Sequence, residues 1–347
     1  MTDPGLLARD RSVEEVCVPT TEFEIKVRSF PTCYLCGAVG TLLYANLSDQ
    51  LFGAPGTWNF KRCPDPSCGL IWLDPMPIES EIGKAYKNYY THAPQPTSPE
   101  KNGWMERAKE ALNRVYEFAL RFTPVYAERG QLEIVYLGGL PPGRVLEIGC
   151  GDGHRLAELR ARGWDVQGQE VDEDAAAQAR KIFGLPVFCG HLHQAGFRDH
   201  EFDAVVMNHV IEHVHDPLAL LKESKRILKH GGQLVSITPN TKGWGHARFG
   251  PCWIGMDRPR HLFLFSRQTL EPIALACGFH DVKTWTTAAR SASTVGGSLR
   301  VERGERIRDI WPFITRAIRQ AVLHIEALMA RHRDPDAGDE CVLSARG

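Results

Sequence analysis

No apolar run in this 347-residue chain approaches the roughly 18 to 20 residues needed to span a bilayer, so no transmembrane helix is expected. A secretory leader is missing too: the opening "MTDPGLLARDRSVEEV" carries acids and no apolar stretch, which points to a cytoplasmic protein. Charge of one sign is equally scarce. A formal net charge of −1 leaves no overall basic excess to hold a polyanion, so nucleic acid is not favoured as the main partner. Internal repeats are absent. What remains is ordinary for a soluble chain that buries a core: 43% apolar and 24% charged residues, with length for about two domains. Cysteine is not scarce. In a cytoplasmic protein the ten cysteines should be thiols or metal ligands rather than disulfides.

Four of the ten are organised. "CYLCG" at 33–37 and "CPDPSCG" at 63–69 are two tight Cys-to-Cys turns, each closed by a glycine that lets backbone amides face thiolate sulfurs. With 26 residues between the pairs, Cys33, Cys36, Cys63 and Cys68 form the ligand set of a zinc ribbon. All four positions are protein ligands, so the metal is expected to be structural. The second spacing is wider than the first, and chance cysteines in a small β domain are the bland alternative.

A Pro-rich break at 93–99 follows, then an apolar period from Trp104 to Phe122 that reads as a helix ended by Pro124. Beyond Gly143, short apolar strands alternate with helical runs. "RVLEIG" (144–149), "DVQGQE" (165–170), "PVFC" (186–189), "FDAVVMN" (202–208) and "GQLVSITP" (232–239) are the strands, with helices at Asp172 to Phe183 and Pro217 to Lys229. This alternation predicts a doubly wound parallel sheet, completed by an antiparallel end pair at 279–285 and 340–346. The expected division is a zinc ribbon at 1–75, a helical linker or lid at 76–140, and a sheet domain at 141–347 with a helical insertion at 289–338. Ile307, Ile310, Trp311, Ile314, Ile318, Val322, Ile325 and Met329 mark an apolar stripe along that insertion. Such a stripe packs on the sheet domain, on a second subunit, or on a membrane surface.

"LEIGCGDG" carries the chemistry. A strand ends in Glu147 and turns through Gly149, Cys150, Gly151 and Gly153 into a helix, and a second acid, Glu170, ends the next strand 19 residues after Gly151. A Gly-x-Gly after a first strand is weak on its own. Here the third glycine comes one residue early for the dinucleotide fingerprint. With "GQEVDEDAAAQAR", "FDAVVMNHVIEHVHDP", "LLKESKRILKHGGQLVSITPN" and "PRHLFLFSRQTLEPIALACGF" in order, the stretch from Arg144 to Gly278 resembles the class I S-adenosylmethionine-dependent methyltransferases. The resemblance implies a Rossmann-like methyltransferase sheet, with the glycine turn at the methionine part of S-adenosylmethionine and Glu170 with Val171 at the ribose. It places Asn208 and His209 on the methyl-donor side. Where the family often has an acid for the adenine amine, this chain has His191, leaving the backbone N–H of Leu192. "YKNYYTH" offers Tyr90 as part of an aromatic segment that closes over the cofactor, or as a packing aromatic.

In "NHVIEHVHDP", His209, Glu212 and His213 would share one face of a helix at metal-site spacing. Ubiquinone-type O-methyltransferases and small-RNA 2′-O-methyltransferases resemble this segment and can use a divalent ion there. The expectation here is a segment flanking the cofactor with no metal, because two imidazoles and one carboxylate lack the oxygen-rich character magnesium prefers. The loop "GWGHARFGPCWIGMDRPRHLFLF" (243–265) lies where α/β folds bind substrate. His261 is the first candidate base for a hydroxyl acceptor and His246 the reserve; a buried histidine that fixes the loop is the alternative for His261.

The expected function is O-methylation of a small molecule, sugar or sugar conjugate. An rRNA or tRNA methyltransferase is the rival, supported by eight arginines against four acids in 298–333. A non-catalytic scaffold on the same fold is a second rival, opposed by the intact glycine turn and Glu170.

Overall fold

The computed structural model describes residues 25–87, 114, 118, 120–304 and 313–347. A small β module comes first, with β1 (Val27–Arg28), β2 (Thr41–Leu47), β3 (Trp58–Arg62), β4 (Ile71–Leu73) and β5 (Met76–Pro77). β2, β3 and β4 form an antiparallel meander, and β1 pairs with β5. In β3 the buried Trp58 and Phe60 alternate with the more exposed Asn59 and Lys61, the two-residue period of a strand with one covered face.

The larger sheet is built from β6 (Arg144–Ile148), β7 (Asp165–Glu170), β8 (Val187–Cys189), β9 (Phe202–Asn208) and β10 (Leu228–Pro239). A two-residue strand, β11 (Phe263–Leu264), precedes the last pair, β12 (His280–Thr287) and β13 (Glu340–Arg346). The sheet runs β12-β13-β10-β9-β6-β7-β8. Pairing is parallel from β10 to β8, and β13 is antiparallel to both its neighbours, as expected for the end pair. Residues Ala204 to Met207 of β9 are wholly buried, which fits a central strand covered on both faces. β11 belongs elsewhere: it pairs with β4 and completes the N-terminal module's four-stranded sheet.

The described helices around this framework are α1 (Pro124–Glu133), α2 (His154–Ala161), α3 (Glu173–Phe183), α4 (Pro217–Ile227), α5 (Trp244–Phe249), α6 (Arg267–Ala276), α7 (Ser291–Arg303) and α8 (Phe313–Arg333). Asp172 caps α3 by accepting from the Ala175 amide at 3.0 Å, and Asp216 caps α4 through the Ala219 amide at 2.9 Å. None of the described helices is long and apolar enough to cross a membrane.

Three expectations change. Residues 114, 118 and 120 are helical and the chain turns at 121–122, but Pro124 also starts a new helix, at the first-turn position where its missing N–H costs nothing; most of the 104–122 period lies outside the described residues. Residues 132–137 pack in one apolar cluster with Val145 and Val166, so this end of the expected linker is part of the sheet's core. The insertion holds two described helices, and its buried face is not the expected stripe. On α8, Leu323, His324 and Ala327 are buried while Val322, Ile325 and Met329 are each about half exposed (48–52%). Ile307, Ile310 and Trp311, and the side chains of Ile314 and Ile318, lie outside the described residues.

Candidate functional site

The parallel strands end along one edge, and the expected cofactor residues collect there. After β6 the chain turns through Gly149 (φ 64°), Gly151 (φ 54°) and Gly153 (φ 83°), left-handed conformations that side chains rarely adopt. A Cβ on Gly149 would strike Val210 at 2.6 Å, and one on Gly153 would strike Leu185 at 2.6 Å. At Gly151 nothing lies within 4 Å of that position, so this face of the turn is open. Glu170 reaches back from the end of β7: one carboxylate oxygen accepts from the Gly151 amide at 2.8 Å, the other from the Val171 amide at 2.7 Å. Glu147 is buried, with one oxygen on the Arg155 guanidinium at 2.6 Å. Among the described residues its other oxygen has no hydrogen-bond partner, and burial pushes its pKa up. A buried carboxylate oxygen left unpaired is costly unless something cationic or hydrogen-bonding completes it.

Other expected cofactor residues differ in what they offer. The Cys150 thiol is turned into the core, within 2.8 Å of where a Gly168 Cβ would sit, so only its backbone is available to a ligand. The Leu192 side chain is likewise packed in the core, whereas Val171 is 60% exposed. Asn208 ends β9 and accepts from Arg290 at 3.2 Å. Tyr90 lies outside the described residues.

"HVIEHV" is not helical. His209 takes a left-handed conformation (φ 55°) and residues 211–213 form a turn before α4. The turn still brings His209 and Glu212 together at 3.0 Å, while the other ring nitrogen of His209 lies 2.7 Å from Glu340 at the start of β13. Carboxylates accept, so both imidazole nitrogens donate. Burial opposes the charge, but the two carboxylates outweigh it and push the His209 pKa up to about 9. The same balance holds Glu212 down at about 2, against the burial that would raise it. Arg290 also reaches Glu340, at 3.3 Å.

His213 and His261 complete a second group. The His213 Nδ1 is 3.1 Å from the Arg260 carbonyl and 2.9 Å from the Tyr86 hydroxyl. The His261 Nδ1 is 2.8 Å from the Gly255 carbonyl. A carbonyl only accepts, so in each ring Nδ1 carries the proton and Nε2 bears the lone pair; that of His261 lies 3.9 Å from an Asp257 carboxylate oxygen. Burial first, and then the nearby His261, bring the His213 pKa down to about 4, which keeps that ring neutral. The two rings meet edge to face with centroids 4.5 Å apart. Glu212, His213 and His261 each bring a ligand-type atom within 4.8 Å of the others, so this trio, rather than one containing His209, could hold a metal.

His246 corrects an expectation. Its Nδ1 donates to the Thr241 carbonyl at 2.7 Å and its Nε2 accepts from the Tyr44 hydroxyl at 3.1 Å. Both nitrogens are spent where the loop meets the N-terminal module, which leaves His246 no lone pair for base work. Tyr86, Glu340 and Arg290 were not singled out from the sequence. Each joins the site from more than 40 residues away, and no local pattern marks them.

The four expected metal cysteines do come together. The Cys33 and Cys68 sulfurs are 3.6 Å apart, those of Cys36 and Cys63 are 3.3 Å apart, and all four lie within 4.8 Å of one another. Gly37 (φ 77°) and Gly69 (φ 61°) make the knuckle bends.

A family model described as a methyltransferase domain matches residues 125–284. A probable S-adenosylmethionine-dependent methyltransferase of Mycobacterium tuberculosis is 30% identical over 139 residues, 40% of this chain and 49% of that protein. The ubiquinone biosynthesis O-methyltransferase of Cereibacter sphaeroides is 37% identical over 128 residues, 32% of this chain and 48% of that enzyme. The chain thus spans about half the length of these curated relatives. Among solved structures, a methyltransferase of Thermotoga maritima, described as a possible histamine N-methyltransferase, aligns over 70% of this chain and 99% of its own. The identity is 21% and the TM-score 0.43.

The bridged imidazole makes stability depend on pH. With a native pKa of about 9 against the ordinary 6.5, His209 binds more protons folded than unfolded between those values. Its contribution is therefore complete below about pH 6.5 and lost as pH rises through about 9. Thermal unfolding across that window should show the wild-type melting temperature falling more steeply than that of His209→Gln. Parallel curves would reject the charged bridge.

Proposed function

From the match of residues 125–284 to a methyltransferase-domain family model, we propose that this chain is an S-adenosylmethionine-dependent enzyme that methylates a hydroxyl on a small molecule, sugar or sugar conjugate. The observation that carries the cofactor half of this reading is the turn after β6. Its open left-handed Gly151 and the unpaired buried oxygen of Glu147 together suit a ligand bearing an ammonium beside an extended chain. Gly149, Gly151 and Gly153 would cradle the methionine part of the cofactor. Glu170, held by backbone amides at the pocket rim, would take the ribose hydroxyls with lone pairs those amides leave free. When bound, S-adenosylmethionine supplies an electrophilic methyl group on a sulfonium.

The acceptor half rests on His261. Its Nδ1–H is fixed on the Gly255 carbonyl, so Nε2 is the nitrogen that takes the acceptor's hydroxyl proton. Glu212, ionised beside it, favours the imidazolium that results. The loop 243–265 orients the acceptor, and Asn208 and His209 close the donor side. Cys33, Cys36, Cys63 and Cys68 fit a structural zinc: four sulfurs at mutual contact with glycine-closed knuckles on both sides. The overall near-neutral charge keeps an RNA acceptor the less favoured reading.

Binding calorimetry tests the cofactor assignment. Glu170→Ala should weaken S-adenosylmethionine affinity by roughly ten- to a hundredfold, the loss of one or two hydrogen bonds to a charged group. Wild-type affinity in the variant would sink it. Metal analysis of purified protein should find one zinc per chain, lost in Cys33→Ser/Cys36→Ser; protein without zinc, or zinc retained in that variant, would end the ribbon assignment.

With an acceptor in hand, His261→Ala should lower turnover by roughly 10² to 10⁴ with cofactor affinity nearly intact. Brief chelation that leaves the four-cysteine zinc in place should leave activity intact. Activity that vanishes, and returns only with added divalent ion, would instead make Glu212, His213 and His261 metal ligands.

A further inference from the structure

The N-terminal module does more than sit beside the loop that carries His261. β11 begins two residues after that histidine and is the fourth strand of the module's sheet, with Phe263 opposite Trp72 and Leu264 opposite Ile71. The Leu73 amide donates to the Leu262 carbonyl at 3.0 Å, while the Leu262 amide donates to the Glu212 carbonyl at 2.8 Å. Leu262 thus bridges the module and the turn that carries Glu212.

Arg260, just before His261, is wholly buried. One terminal nitrogen donates to Asp49 at 2.9 Å and to the Ala85 carbonyl at 2.8 Å; Nε donates to Asp257 at 3.0 Å. The guanidinium covers the Phe52 ring at 4.6 Å. A cation this deep holds its place only if its counter-charges are themselves fixed. Asp49 is fixed: one oxygen accepts from the Leu51 and Phe52 amides, each at 3.1 Å, and the other from the Ala54 amide at 3.1 Å. The chain from 49 to 54 is wound around this carboxylate. On the far side, the backbone carbonyl of Arg260 takes His213 Nδ1, and the next residue is His261. A shift of Arg260 therefore moves both imidazoles.

We propose that Asp49 is a positioning residue for the Glu212, His213 and His261 group, acting through Arg260, so that the N-terminal module is a working part of the acceptor side. The geometry stands on the contacts above; its link to methyl transfer rests on the reading of His261 already given. Asp49→Asn keeps the size of the side chain and removes the charge that faces Arg260. Asp49→Glu keeps the charge on a longer arm.

In Asp49→Asn, the Nδ1–H signals of His213 and His261 in ¹⁵N NMR spectra should shift or broaden. Amide exchange over residues 257–264 should rise at least tenfold. Exchange in β2 and β3 and affinity for S-adenosylmethionine should stay within twofold of wild type. Asp49→Glu should recover part of the imidazole signature, and Tyr44→Phe, which cuts the His246 contact on the same module, should leave it in place. Should the Asn variant not fold, Arg260→Lys serves instead: it keeps the cation but cannot reach Asp49 and Asp257 together, so the same signals should move. Unmoved imidazole signals would overturn the proposal, as would exchange rising evenly through the whole module, which would make Asp49 a folding residue alone. Imidazoles that move in Asp49→Asn while His261→Ala keeps normal turnover would uphold the positioning and fail only the base assignment.

Discussion

Glu212 has no exposed surface, and the polar groups packed around it are arranged to compensate its charge. A buried carboxylate must be compensated on every side or it becomes protonated or unfolds the chain around it. Its compensation comes from two directions: His209 donates to one oxygen, and the Thr238 hydroxyl near the end of β10 donates to the other at 2.9 Å. His209 in turn carries the demand onward to Glu340 on β13, which also takes Arg290 at the start of α7. One charge thus ties β9, β10, β13 and the loop before β11 into a single polar layer.

That layer explains why the N-terminal module cannot be treated as a separate bead. The module's β4 pairs with β11, its Tyr44 occupies His246, and Asp49 meets the buried Arg260. Tyr86 lies against His213 just beyond the module. The first three contacts join the N-terminal module to the chain between β10 and α6, and the last reaches the turn that follows β9. A domain interface rich in apolar contact alone can slide; one stitched by buried charges and ladder bonds has a single register. The turn after β6 is organised differently. There the backbone does the work: glycines supply left-handed conformations that side chains rarely adopt, and Glu170 fastens the turn to the end of the neighbouring strand.

What the sequence by itself determined is the local and periodic part. Alternating strands and helices gave the sheet, including the reversed last strand, because burial on two faces leaves an apolar signature strand by strand. The glycine turn and both cysteine knuckles were legible for the same reason: close backbone approach needs glycine at fixed short offsets, and cysteines three and five residues apart are a local pattern. The tertiary structure decided everything that depends on distant partners. It turned "HVIEHV" from a helix face into a turn with a left-handed His209, because that residue joins Glu212, three residues on, to Glu340, 131 residues away and brought near only by the fold. It removed His246 from base work by handing it Tyr44, 202 residues away. On the described part of α8 it buries Leu323 and Ala327 and leaves Val322 and Ile325 half exposed, since helical periodicity marks an apolar stripe but not which neighbour will cover it. Hydrogen bonds and ion pairs between residues far apart in the chain leave no period in the sequence, and the chemistry of this site is made of them.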